Sequence, residues 1–105
     1  MAELVDLSAD RQARFLEFFL TFVEMFYVYA ISSLSRNYIY VGLTSDLDDR
    51  IKRHNAKREK TTRAYAPFEL IYSEKFETRM AARQKEKYLK SGIGKENLRQ
   101  IRDKG

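Results

Sequence analysis

The spacing of apolar and polar positions changes period several times along the 105 residues, and each change marks an element. Phe15, Leu16, Phe18, Phe19, Leu20, Phe22 and Val23 surround one narrow polar stripe of Glu17, Thr21 and Glu24 at i, i+4 and i+7. That spacing predicts an amphipathic helix with a wide apolar face, capped at its start by Ser8. From Met25 to Ile31 the period falls to two, with Phe26, Val28 and Ala30 on one side and Tyr27, Tyr29 and Ile31 on the other, which predicts a strand. A loop of hairpin size over Ser32–Asn37 leads to a second strand with Tyr38, Tyr40 and Gly42 on one face and Ile39 and Val41 on the other. Gly42 is expected to end that strand and turn the chain. Pairing as a hairpin brings Tyr27, Tyr29, Tyr38 and Tyr40 to one face, an amphipathic platform.

Helical spacing returns after Ser45, the expected N-cap, with Asp48 completing an approximate capping box. Leu47 and Ile51 form the buried arc of this helix, and at 100° per residue Arg50 and His54 lie within about 60° of Leu47. Charge on a buried face requires a partner or a function. A basic loop over residues 55–65 carries Lys57, Arg58, Lys60 and Arg63, and Pro67 then opens a third strand in which Phe68, Leu70 and Tyr72 alternate with Glu69, Ile71 and Ser73. Thr78 caps a helix running to Ser91 whose inward side holds Ala82, Lys85 and Leu89, extended by Ala81 and Tyr88. Glu86 sits about 40° from Ala82, on the edge of that arc. Gly92 and Gly94 are expected to break the chain before a short last helix, Lys95 to Asp103. The fold class is therefore α+β: a small three-stranded antiparallel sheet flanked by helices in the order β-β-α-β-α-α, preceded by an extra N-terminal amphipathic helix. The expected division is an extension over residues 1–24 and one domain over 25–105.

Composition narrows the chemistry. The net charge is +5, but residues 1–24 carry −3, which leaves +8 on the rest of the chain. A body so basic suits a polyanion such as nucleic acid better than a membrane surface, since no lipidation motif accompanies it. The N-terminal apolar run is too short and interrupted for a membrane span, and its acidic start does not suit a secretory signal, so a cytoplasmic protein is expected. The absence of cysteine excludes disulfides, zinc ribbons and thiol nucleophiles, and a single histidine excludes a histidine-rich metal site. Any metal must then be a hard cation on carboxylate, with magnesium the first candidate and manganese the alternative. The wide apolar face of the first helix is expected to bury itself on the domain, on a second copy of the chain in a homodimer, or on a partner protein.

Tyr27-Val28-Tyr29 followed by Tyr40-Val41-Gly42, then Arg50-x-x-x-His54 on one helix and Ala82-x-x-x-Glu86-x-x-Leu89-Lys90 on another, resembles the GIY-YIG nuclease superfamily. The resemblance covers about Met25 to Lys95. It points to the small stand-alone bacterial members, which are similar to the nuclease module of excision-repair endonucleases, and so to DNA repair. It implies a magnesium-dependent endonuclease that hydrolyses DNA phosphodiester bonds, with Tyr40 as general base, Tyr29 beside it orienting water, and Glu86 as the metal ligand. Arg50 would brace the phosphate and stabilise phenolate, His54 would orient a tyrosine or relay a proton, and Asn97 would give further support. Gly42, Lys52, Arg53 and Arg58 are the candidates for nucleic-acid contacts, Leu43 standing where some relatives place a lysine. The other reading is a nucleic-acid-binding module that keeps the fold without turnover, because tyrosines interleaved with cations also make a stacking and phosphate surface.

Overall fold

The computed structural model describes residues 25–104, so the expected N-terminal helix and its burial on a partner lie outside the described residues. Three strands, β1 (Phe26–Ser33), β2 (Ile39–Thr44) and β3 (Phe68–Phe76), form an antiparallel sheet in the order β2-β1-β3. Helix α1 (Leu47–Asn55) follows β2, a single 3-10 turn (Arg63–Tyr65) precedes β3, and α2 (Arg79–Lys90) and α3 (Gly92–Lys104) complete the domain. The expected α+β architecture and element order are those observed for this part of the chain.

The central position of β1 follows from its composition. It has no polar side to offer solvent, and its apolar alternation serves two cores rather than one. On one face Phe26, Val28 and Ala30 pack with Ile39 and Val41 of β2 against Ala82, Leu89 and Leu98 of the two C-terminal helices. On the other, Tyr29, Ile31 and Phe68 are buried beneath Tyr38, Tyr40, Leu47, Ile51 and Tyr65. Each fully buried aliphatic side chain here contributes about 1.5–3 kcal/mol of burial free energy.

Several local readings are corrected. Gly42 does not end β2; it lies inside the strand opposite Tyr29, with no positive φ. A Cβ there would meet the Tyr29 hydroxyl at 2.5 Å, so the glycine is needed for an aromatic ring laid across the neighbouring strand rather than for a turn. The N-cap of α1 is Asp46, whose carboxylate accepts the Asp49 N–H at 3.1 Å, not Ser45. Thr44 fixes that shift, since its hydroxyl accepts the Asp46 N–H at 3.1 Å and holds the chain extended one residue longer. The break expected at Gly92 and Gly94 is at Ser91 alone: Gly92 begins α3, and Gly94 is buried within it against the backbone of Tyr88 and Leu89.

Strand β3 does not alternate evenly. Ile31 pairs with Leu70 while Ala30 pairs with Tyr72, so Ile71 is the extra residue of a bulge. Phe68 therefore faces the Tyr29 side, whereas Tyr72 and Phe76 pack on the opposite core with Ile71. At its start β3 is tied to the end of α1 by Asn55, whose carboxamide accepts the Phe68 N–H at 2.7 Å and donates to its carbonyl at 3.4 Å. Ser33 closes the other end of this face, accepting the N–H groups of Ser35 and Arg36 and donating to the Tyr65 carbonyl at 2.6 Å.

Candidate active site

The register carries the expected tyrosine face, because Tyr27 opposes Thr44, Tyr29 opposes Gly42 and Tyr40 opposes Ile31. It is not an open platform. Tyr29 is 1 % exposed, and Tyr38 is stacked on Tyr65 with ring centroids 3.8 Å apart and planes at 10°. Only Tyr40 stands half-buried beside Tyr29, their centroids 6.3 Å apart.

Helix α1 places His54 beneath both rings. Its imidazole is 1 % exposed, with Nε2 2.8 Å from the Tyr29 hydroxyl and Nδ1 2.7 Å from the Thr62 hydroxyl. The Tyr40 and His54 centroids lie 5.1 Å apart. Both imidazole nitrogens are thus engaged, and the ring can hand a proton along in either tautomer: Tyr29 donates to Nε2 while Nδ1–H donates to Thr62, or the reverse. Burial lowers the His54 pKa below its ordinary value, with Arg50 adding to the effect and Glu59 opposing it, so the ring is held neutral. Burial likewise pushes the Tyr29 phenol well above the ordinary tyrosine range, reinforced by Tyr40 and opposed by Arg50. Tyr29 therefore keeps its proton at neutral pH, whereas the Tyr40 hydroxyl makes no hydrogen bond to the described residues and remains open to an incoming group.

The charges at Tyr29 identify what surrounds it. Tyr40, Arg50, Glu59 and Glu86, from β2, α1, the loop after α1 and α2, are all near enough for their charges to be felt at its hydroxyl. Arg50 is partly exposed and lies 3.8 Å from Glu59. Glu86 is 18 % exposed, with Lys90 3.3 Å away one turn along α2. Among the described residues no three metal-binding side chains converge. The donor set offered is one shielded carboxylate, which fits a hard divalent ion that keeps most of its water and does not fit a thiolate or imidazole metal.

The other candidates have other partners or face solvent. Arg53 is committed to Glu59 at 2.9 Å, a bond that draws the Glu59 carboxyl below its usual range, while Lys52 and Arg58 are exposed. Asn97 donates to the Tyr88 hydroxyl at 2.8 Å. Tyr88 lies about 160° around α2 from Glu86, so Asn97 braces the outer side of the helix pair instead of the tyrosine cluster. Sequence reasoning missed Thr62 and Glu59. Thr62 gave no signal, since its role depends on the fold of an irregular loop; for Glu59 the sequence offers only that it is the one acid among the basic residues 55–65.

The histidine makes a pH-dependent contribution with a definite sign. The folded chain keeps His54 neutral where the unfolded chain protonates near its ordinary value of 6.5, so stability is full above about pH 6.5 and declines as pH falls below it. The slope is limited to about 1.4 kcal/mol per pH unit by one proton. Because His54 is the only histidine and carboxylates titrate nearer pH 4, urea unfolding between about pH 7 and pH 5 isolates it. His54→Gln is expected to flatten that slope; equal slopes in the two proteins would refute the assignment.

The order of elements, the strand register and the tyrosine pair define the class, a small single-sheet α+β domain of the GIY-YIG type. The family model described as the GIY-YIG catalytic domain matches residues 25–99, and the chain belongs to that family, whose characterised members are typically endonucleases acting on nucleic acid. It is 36% identical over 80 residues to a UPF0213 protein of Haloquadratum walsbyi, covering 75% of this chain and 88% of that one. The UPF0213 protein YazA of Bacillus subtilis is 41% identical over 66 residues, 62% of this chain and 67% of its own. The solution structure of a UPF0213 protein of Bacillus halodurans is 32% identical, covers 73% of this chain and 84% of that one, and superposes with a TM-score of 0.46. No helix among the described residues is long and apolar enough to cross a membrane.

Proposed function

We propose that this protein is a divalent-metal-dependent DNA endonuclease. The observation that supports this most is the division of labour between the two tyrosines: one buried, protonated and fixed by histidine, the other accessible beside it, with a guanidinium and a lone carboxylate in the same locus. Tyr40, as its phenolate, takes a proton from the attacking water and becomes the phenol, while Arg50 stabilises the phenolate before that transfer and braces the phosphate with its planar donor fork. Tyr29 holds the water through its hydroxyl, His54 fixes Tyr29, and Thr62 fixes the tautomer of His54. Glu86 would hold Mg²⁺, or Mn²⁺ in its place, which when bound supplies positive charge to the phosphate oxygens and the leaving group. Lys52 and Arg58 offer further cations to the backbone of the substrate.

Incubation with labelled single-stranded, duplex and branched DNA is expected to give cleavage with Mg²⁺ and none in excess EDTA. Absence of metal-dependent cleavage on every substrate would overturn the reading. One observation favours the alternative of a binding module without turnover: the Glu86 carboxylate already has Lys90 beside it. Salt-sensitive binding with no cleavage, unchanged by Glu86→Gln, is the result that reading requires.

A further inference from the structure

Strand β2 is an edge of the sheet, and its outer side faces the first half of α3. Between them lies a cavity of about 290 Å³ lined by Asn37, Tyr38, Ile39, Lys95 and Arg99. Lys95 is only partly exposed, and its ammonium donates to the Ile39 carbonyl at 2.6 Å. It makes no ion pair among the described residues, whereas Lys90, Arg99 and Arg102 each have a carboxylate nearby. One of its three donors is used, which leaves two N–H groups for whatever enters the cavity. Burial, together with the Arg99 and Lys90 charges, lowers the Lys95 pKa, as an anion-seeking ammonium without its anion should behave. Arg102 closes the far end by donating to Asn37 Oδ1 at 2.7 Å, so the strand edge and the helix are held at a fixed separation. The carbonyl that Lys95 grips belongs to the residue before Tyr40, and Lys90, which pairs with Glu86 at 3.3 Å, is near enough for its charge to act on Lys95.

We infer that this cleft is a second phosphate subsite, in which Lys95 and Arg99 hold a nucleic-acid phosphate beside the catalytic locus and direct the strand along the outer edge of β2. The inference rests on the nucleic-acid reading above and adds the path that the substrate takes. A compact ammonium at the base and a guanidinium at the rim match a phosphate approached from solvent. The competing role for Lys95 is structural: an ammonium that satisfies an edge carbonyl also blunts a strand edge against pairing with other chains.

The test is binding of a labelled single-stranded oligonucleotide to the wild-type chain in EDTA, across a range of salt. Lys95→Gln and Arg99→Gln are each expected to reduce the slope of log K against log salt by about 0.7, and the double variant by about 1.4. Lys95→Arg is expected to restore the slope, and Lys75→Gln on the far edge strand to leave it unaltered. Arg99 is exposed, so its variant remains informative if Lys95→Gln fails to fold. An unchanged slope in folded Arg99→Gln overturns the subsite, as does a Lys95→Gln variant that loses thermal stability with no change in slope. Inorganic phosphate is the second arm: saturation of Lys95 by the free ion, with the DNA slope unaffected by either variant, overturns the nucleic-acid assignment. Cleavage by wild type with unchanged slopes would sink the subsite and leave the nuclease standing; reduced slopes without cleavage would do the reverse.

Discussion

Glu86→Gln is expected to lower the rate of DNA cleavage by at least about 10²-fold while leaving the folded domain intact. The substitution keeps the size of the side chain and removes only its charge, which is what a single-carboxylate metal site depends on. Its structural cost is small because the one ion pair lost, to Lys90 on the same helix, is a partly solvated contact worth about 0–1 kcal/mol. The effect should therefore appear in cleavage at saturating Mg²⁺ and not in the thermal midpoint. Equal rates for the two proteins would remove Glu86 from the metal assignment. A parallel fall in rate and thermal midpoint would show that the carboxylate acts through the fold.

The second large effect is on stability and lies away from the tyrosines. Gly94→Ala places a Cβ 2.1 Å from the Tyr88 carbonyl oxygen and 2.6 Å from the Leu89 Cα. Both are backbone atoms at the end of α2, so neither can swing aside as a side chain would. The joint between the helices is also stiff: the Ser91 hydroxyl donates to the Tyr88 carbonyl at 2.5 Å and accepts the Gly94 N–H at 3.2 Å. Relief must come from moving α3 away from α2, which loosens Leu89 and Leu98 at the centre of one core. A loss on the order of 2–5 kcal/mol is expected, comparable to a large core truncation. For a domain of this size that lowers the thermal midpoint by roughly 10 °C or more, measurable by circular dichroism. A midpoint within about 2 °C of wild type would refute the close approach.

The elements were legible where hydrophobic spacing is a local property. Period-two runs gave β1 and β2, and the inward arc of α2 was read with Ala82 and Leu89 in their observed places. Arg50 and His54 betrayed themselves as polar groups on an apolar arc, and His54 is indeed buried, but the roles assigned to them came from the family resemblance. What escaped depends on contacts remote in sequence. Gly42 looks like a turn residue until Tyr29 is laid across it, and Asn97 looks like a site residue until Tyr88 is found at its amide. Thr62 carries no pattern, since it acts through a loop that has no period to read. The N-cap moved from Ser45 to Asp46 because a neighbouring threonine bound the turn, a competition that residue preference alone does not resolve.

The bulge at Ile71 makes β3 a strand with a phase change. Its first half contributes Phe68 to the wall behind Tyr29, and its second half contributes Tyr72 and Phe76 to the floor beneath the helix pair. Removing Ile71 would restore regular alternation with both sets still on their own faces, whereas removing a residue beyond it, such as Ser73, would exchange the faces downstream and turn Lys75 to the side that Phe76 leaves. Substitutions along β3 are felt one side chain at a time, whereas a change in its length anywhere but at the bulge residue reverses everything that follows. The strand therefore tolerates variation in spelling far better than in word length, and both interiors of the domain depend on the same count.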